Sequence, residues 1–341
     1  MGRIFLLYYD YKHTSGNHAG MAHLARALKA SNPAIRLIRQ PEQEYKGGWV
    51  PALLYAIGLA IYLRLVLRPN DRVVFFEYLS GDFGFQDTIT RLLRRWGVRN
   101  RFSGIVHLGG EQLLELYKTT AGIRARLDRI DQAIVFGSSL ATFLRQSVGY
   151  RKQIVSTYHY ADVEYYQPAP EAAHGARPLQ VLFLGSLKRN MEQLADIITR
   201  TGDGVVFHVC AGGKHYPQLA ALPHVVMHAY MSEAQLRSLM QACDVNLSVF
   251  YDTIGSNAIT STLAVGLIQI ASNVGSIADY GDETNSFLCD SPAEFVQAIR
   301  LVANDRNRLE SMKQHARRKA EKISLANFVS EFNALFESHV P

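Results

Sequence analysis

Two glycine-bearing turns in the second half of the chain gather residues suited to holding an anion. The first is Gly185-Ser186-Leu187-Lys188-Arg189-Asn190, which follows the apolar run 180–184 and precedes a helix-length segment. A glycine, two cations and a helix N-terminus at a strand's C-terminal end suit a phosphate group, most naturally a diphosphate, because free amide N–H groups and positive charge meet there. The second is Thr253-Ile254-Gly255-Ser256-Asn257, where the Gly-Ser-Asn turn opens another helix. Its amide groups offer a second anion site, and Ser256, Asn257 and Ser261 add hydrogen bonds suited to ribose or a sugar. In the first half, His107 ends the run Gly-Ile-Val-His-Leu at 104–108, and Gly109-Gly110-Glu111 follows it. Glu111, Glu77 and Asp82 are carboxyls suited to act as a general base near it. Each feature also has a structural reading: a solvated basic turn, a hydrogen-bonded strand-end histidine, and a glutamate stabilising a helix N-terminus.

Several other chemistries are excluded. The first loop, residues 10–20, has glycines at the wrong spacing for the Gly-x-Gly-x-x-Gly dinucleotide fingerprint, and no Gly-x-x-x-x-Gly-Lys-Ser/Thr occurs for a phosphate-binding NTPase loop. His13, His18 and His23 recur every five residues, which puts them on different helix faces and argues against zinc. Three cysteines without paired spacing argue against a disulfide framework and read as reduced, buried thiols. A net charge of +6 suits an anionic ligand or a membrane surface but is too small to argue for nucleic acid.

The elements that must position these residues follow from periodicity. With 341 residues, 48% hydrophobic and 19% charged, the chain has ordinary globular composition, and its length favours two domains. Buried strands are expected at 3–9, 72–76, 104–108 and 132–136, separated by helix-length segments, the first at 20–30. Residues 165–178 hold three prolines and a glycine with little apolar periodicity, which reads as a linker. The alternation then restarts, with strands at 179–184, 205–211, 225–228, 244–249 and 268–271, and helices at 191–201, 233–242 and 260–267. Strands alternating with helices predict parallel sheets covered on both faces, here two doubly wound domains facing a cleft. The charge-free run 47–63 falls short of the roughly 20 apolar residues that span a bilayer, so a buried or interfacial helix is expected. Residues 305–340 read as helical, with Phe328, Phe332, Leu335 and Phe336 forming an apolar stripe.

The ordered series of pieces resembles a glycosyltransferase of the GT-B fold, most closely the group 1 family that uses nucleotide-activated sugars. Residues 157–168, Thr-Tyr-His-Tyr-Ala-Asp-Val-Glu-Tyr-Tyr-Gln-Pro, resemble that family's Asn-Gly-Val-Asp-x-x-x-Phe-x-Pro signature. Leu182-Phe-Leu-Gly-Ser-Leu187 resembles its Phe-x-Gly-Arg-Leu strand end. Residues 231–244 are similar to its helix-then-aspartate segment, and 266–275 to its Gly-x-Pro-Val-Val-x-Ser-x-Val-Gly run. The resemblance implies α/β architecture with two Rossmann-like domains: an acceptor-side domain at 1–168, a nucleotide-sugar-binding domain at 177–320, and a C-terminal helix, 321–341, packing back towards the first domain. It implies transfer of a sugar from a nucleoside-diphosphate donor to a hydroxyl acceptor, in cell-surface glycan or polysaccharide assembly. His107 falls where such enzymes often hold a histidine near the transferred sugar, and Gly16 with Asn17 falls at the glycine-rich loop near the donor phosphates.

The chain also departs from that pattern. The family's two glutamates fall at Thr253 and Ser261, its usual arginine at Ser186 and its lysine at Met191, leaving Lys188 and Arg189 to supply the diphosphate charge. No cofactor or metal is implied, and no Asp-x-Asp pair of the metal-using alternative fold occurs. The implied partners are a nucleotide-sugar donor and a glycan or lipid-linked acceptor, with a peripheral contact to the inner face of the membrane and a cytoplasmic location. Trp49 and the arginines around Trp96 motivate that contact. The missing glutamates keep two alternatives open, an inactive sugar-nucleotide-binding scaffold and a nucleotide-sugar epimerase.

Overall fold

Apolar runs too short to be helices pair side by side, and in this chain they build two parallel sheets. The computed structural model describes residues 2–12, 14–41, 49–80, 85–169, 177–214 and 216–337. The chain divides into two compact units, Met1–Tyr158 with Val329–Pro341, and His159–Phe328.

The first unit runs β1 (Ile4–Tyr9), α1 (Met21–Ser31), β2 (Ile35–Gln40), α2 (Trp49–Val66), β3 (Arg72–Tyr78), α3 (Gln86–Arg95), β4 (Arg101–Val106), α4 (Gly110–Tyr117), α5 (Thr120–Leu127), β5 (Gln132–Phe136), α6 (Ser138–Gln146) and β6 (Gln153–Thr157). The strands pair in parallel in the order β2-β1-β3-β4-β5-β6. The chain therefore turns outward from β1 to β2 and returns to place β3 on the other side of β1. That reversal opens the strand ends of β1 and β3 to a ligand, as doubly wound sheets do. Helix α2 packs on α3. Its sequence is apolar on nearly every face, so one face is left exposed, with Leu54 and Leu65 63% and 79% accessible.

The second unit runs β7 (Leu179–Leu184), α7 (Met191–Thr201), β8 (Val205–Cys210), α8 (Pro217–Ala220), β9 (Val225–Met227), α9 (Glu233–Ala242), β10 (Val245–Ser248), α10 (Asn257–Ala264), β11 (Ile268–Ser272), a short 3-10 turn (Ile277–Asp279), β12 (Ser286–Cys289), α11 (Pro292–Asn304) and α12 (Arg306–Lys322). Its sheet order, β12-β11-β10-β7-β8-β9, reverses between β7 and β10. Val181, Phe183, Val205, Phe207, Leu247 and Ile270 meet α7 and α11 in a continuous apolar core. Asp244 is buried at the start of β10, where it accepts the Gln180 amide (2.9 Å) and pairs with Arg177 (2.9 Å), Arg306 (3.6 Å) and Lys313 (3.9 Å). A buried carboxylate so surrounded is neutralised, and it pins α12 to the sheet.

The last helix, α13 (Leu325–Glu337), straddles the boundary. Within the first unit Phe332 stands edge-on to Phe76 at 6.2 Å, and Asn333 bonds Ser31 and Asn32.

Differences from the sequence expectation are local. β2, β6 and β12 were not expected, and α10 starts at Asn257 rather than 260. The helical run after 305 is broken at Ile323–Ser324, where Ser324 and Ala161 form an isolated bridge and the Leu325 amide donates to Ala161. Asp82, His13 and linker residues 170–176 lie outside the described residues.

Candidate functional site

Both turns singled out in the second half lie at the reversal of the second sheet. After β7, Gly185 takes φ +93, a left-handed conformation open to glycine, and its amide donates to Cys210 O at 2.8 Å. Lys188 also sits at positive φ (+55). The turn is then stitched to the segment after β10. Arg189 and Phe250 form an isolated bridge, with Asn190 N donating to Val249 O (2.9 Å) and Tyr251 N to Lys188 O (3.0 Å).

The guanidinium of Arg189 folds back over this stitch. It donates to Leu184 O (2.9 Å) and Leu187 O (3.1 Å), and its Cζ lies 3.9 Å from the centre of the Phe250 ring. Its Nε is buried with no hydrogen-bond partner among the described residues. Burial pulls this arginine down to about 10, so it stays charged at neutral pH. Lys188 is half-buried and joins no ion pair among the described residues, and Ser186 is half-buried beside it. Asn190 caps α7, its Oδ1 accepting the Gln193 amide at 3.0 Å.

In the second turn Thr253 is buried, its Oγ1 accepting the Gly255 amide at 3.0 Å and its carbonyl the Ser276 amide at 2.7 Å. Gly255 takes φ +98, and a Cβ there would overlap the Tyr280 hydroxyl. That hydroxyl accepts the His159 amide (2.9 Å) and donates to Ile254 O (3.4 Å), so Tyr280 holds the turn from beneath. Ser256 caps α10, its Oγ accepting the Ile259 amide at 3.4 Å. Asn257, the first residue of α10, hydrogen-bonds the His159 ring, and burial lowers this histidine to about 4. Ser261 is buried, and its hydroxyl bonds the Tyr166 hydroxyl, which donates to Glu233 Oε1 at 2.7 Å. The serine expected to meet ribose is thus committed to an interior Ser261–Tyr166–Glu233 chain.

In the first unit the strand ends carry a separate group. His107 directly follows β4, its Nδ1 3.6 Å from Oε2 of Glu77 on the adjacent strand β3. The Phe136 ring stands edge-on to His107 at 5.0 Å. Desolvation pushes the Glu77 carboxyl up to about 8. At the end of β1, the Tyr9 hydroxyl and Asp10 Oδ1 are buried without a hydrogen-bond partner among the described residues, while Asp10 Oδ2 meets Arg26 at 3.2 Å. Glu111 is exposed in the first turn of α4, where its charge complements the helix dipole. Gly16 is exposed in a turn at φ +89, with half-buried Asn17 closing it onto Thr14 O (3.0 Å).

The structure therefore brings the 185–190 turn together with the segment after β10, and brings His107 together with Glu77, not Glu111. Sequence reasoning missed Tyr280, His159, Tyr166 and Glu233. None of them belongs to a spacing motif, and only the tyrosine-rich stretch 158–166 gave a compositional signal.

Residues 178–305 match the family model Glycosyl transferases group 1. Among solved structures, sucrose-phosphate synthase from Thermosynechococcus elongatus superposes with TM-score 0.77 at 13% identity, covering 99% of both chains. HepE from Anabaena, solved with UDP-glucose, gives 0.72 at 12% identity over 99% of this chain and 100% of that one. The lipopolysaccharide outer core galactosyltransferase WaaB gives 0.71 at 12% identity over the same shares. Among curated protein sequences none matches. The fold expectation and the family resemblance are both borne out: residues 178–305 match the glycosyltransferase group 1 model, in a chain that has the GT-B fold.

Proposed function

We propose that this protein is a glycosyltransferase that moves a sugar from a nucleoside-diphosphate donor to a hydroxyl acceptor. The observation that carries the reading is the second-unit reversal point. There, within the stretch that matches the family model, the Gly185–Asn190 turn and the α10 N-terminus lie at the C-terminal ends of β7 and β10. Charge from Lys188, on a turn that Arg189 clamps, with the amides of the capped helices α7 and α10, would stabilise a departing diphosphate without a bound metal, through preorganised dipoles and a cation. Thr253, Gly255, Ser256 and Asn257 would line the donor's sugar side. A panel of uridine, guanosine, cytidine and thymidine diphosphates in a thermal-shift screen, followed by donor hydrolysis and transfer assays, tests this. One base should raise Tm at millimolar ligand, and its sugar nucleotides should turn over. No stabilisation by any of them defeats the reading.

The first unit favours a lipid-linked acceptor met at the cytoplasmic face of a membrane, in cell-surface glycan assembly. Val50, Leu54, Ile61, Tyr62 and Leu65 of α2 are exposed together. The positive charge is also on this unit, which holds 22 Lys and Arg against 13 Asp and Glu, where the second unit holds 14 against 17. Arg64, Arg68, Arg95 and Arg99 are exposed, as is Trp96. Arg94 is not part of that surface: it pairs with Asp131 at 2.7 Å and stacks on Phe102. Among the described residues no helix is long and apolar enough to cross a membrane, so the contact would be peripheral. Flotation with anionic vesicles should be strong at low salt, fall as salt rises, and drop when Leu54 and Leu65 become Ser or Arg95 and Arg99 become Ser. Equal, poor flotation with neutral and anionic vesicles at low salt defeats it.

A further inference from the structure

We propose that Glu77 and His107 form a single proton-sharing pair, with Glu77 the positioning residue that fixes the imidazole for a hydroxyl-bearing ligand bound at the β1/β3 strand ends. This rests on the glycosyltransferase reading for the ligand, but not for the pair itself. The two side chains come from neighbouring strands, and both are mostly withdrawn from solvent, 15% and 17% accessible at the side chain. Their 3.6 Å separation is an ion-pair distance that a small rotation turns into a hydrogen bond, and such contacts are commonly long before substrate arrives.

The backbone that carries Glu77 is held in place. Gln86 Oε1 accepts the Glu77 amide at 3.0 Å, and Gln86 is itself bonded to buried Gln40. Among the described residues, the titratable groups that act with the Glu77 carboxyl are the imidazole of His107 and the phenol of Tyr9 at the end of β1. Among the described residues no lysine or arginine pairs with Glu77, so His107 is the cation available to it. Burial disfavours the carboxylate and pushes it up to about 8, so a proton on the pair can rest on either partner. The pair is either carboxylic acid with imidazole or carboxylate with imidazolium, and both are neutral overall.

A second observation points to a ligand at the same place. The Tyr9 hydroxyl and Asp10 Oδ1, at the end of β1, are buried and lack partners among the described residues. Orphaned buried polar atoms are rare in folded proteins. Two at the reversal of a doubly wound sheet suit a polyhydroxylated ligand that completes their hydrogen bonds. A sugar has the matching chemistry.

The decisive measurement is imidazole nitrogen NMR of His107 against pH in the wild type, Glu77→Gln and Glu77→Asp, with His107→Gln supplying the assignment. The wild type should titrate in two coupled steps. Glu77→Gln should give one step displaced by more than half a pH unit, and Glu77→Asp should keep the coupling. In transfer assays Glu77→Gln should lower kcat/KM at least tenfold with donor KM within twofold, and move the pH limb of the rate profile. The double variant should lose no more than the worse single variant. A His107 titration unchanged by Glu77→Gln, or losses that multiply in the double variant, overturns the pair. If the wild type turns over no sugar nucleotide, the glycosyltransferase reading falls while the NMR titration still decides the pair.

Discussion

Replacing Arg189 by alanine separates the role the sequence suggests for it, a cation for phosphate, from the one its contacts show, a clamp for the turn that would bind it. The guanidinium spans the carbonyls of Leu184 and Leu187 and covers Phe250. Each charge-assisted hydrogen bond is worth about 1.5–3 kcal/mol, and the ring contact about 0.5–2 kcal/mol. The terms overlap, and both carbonyls sit at a turn that water can reach after truncation. A stability loss of about 2–4 kcal/mol is therefore expected, less than the sum. At about 2–4 °C per kcal/mol for a domain of this size, Tm should fall by roughly 4–16 °C. Lys188 gives the contrast, because it makes no ion pair among the described residues. Lys188→Ala should leave stability within about 0.5 kcal/mol while weakening nucleoside-diphosphate binding by about 1.5–3 kcal/mol, with little effect on the nucleoside. Denaturant melts and titration calorimetry on both variants read these out. An unchanged Tm for Arg189→Ala refutes the clamp. Equal losses for nucleoside and diphosphate in Lys188→Ala refute the anion assignment.

Two further outcomes follow from buried charge. Asp244→Ala should cost about 3–5 kcal/mol, because it strands Arg177 and Lys313 around an empty buried site; a loss under 1 kcal/mol in urea melts would show the cluster to be dispensable. His159 is held neutral in the fold, at about 4 against 6.5 when unfolded. Above pH 6.5 its contribution is fully present, and as pH falls from 6.5 to 4 the unfolded chain takes the proton first and stability drops. The drop is about 2–3 kcal/mol, allowing for partial exposure of the ring. His159→Gln should flatten that slope, and parallel slopes for the two proteins would show that His159 is not its source.

What the sequence made legible follows burial. β5, β7, α7 and α9 match their expected bounds because each is a run whose residues answer to one dominant environment. The strands that escaped, β2, β6 and β12, are all edge strands. β2 reads Ile-Arg-Leu-Ile-Arg-Gln with both arginines exposed, and β6 has exposed Gln153 and Ser156, so neither presents a continuous apolar run. An edge strand needs only one paired side and tolerates charge on the rest, which also protects it from pairing with other chains. The periodic signal weakens at the same positions that close the sheet.

The site divides along a similar line. The placement of Gly185, Asn190, Ser256 and Asn257 was legible, because caps and left-handed glycines are properties of the local backbone. The partners of long or polar side chains were not. Arg189 could have reached outward from its turn, and only the approach of Phe250 from another strand end turns it inward. Ser261 has the same hydroxyl whether it faces a ribose or Tyr166, and a partner ninety-five positions away in the chain decides which. Glu77 and Glu111 are equivalent carboxyls in composition. Glu77 lies at a strand end, where desolvation raises its proton affinity, and Glu111 lies exposed at a helix start. Proton affinity of this kind belongs to the dielectric around a residue. It becomes visible only once β1, β3 and β4 are laid side by side, so it is in the first unit's sheet order, more than in any motif, that the chemistry of His107 and Glu77 is written.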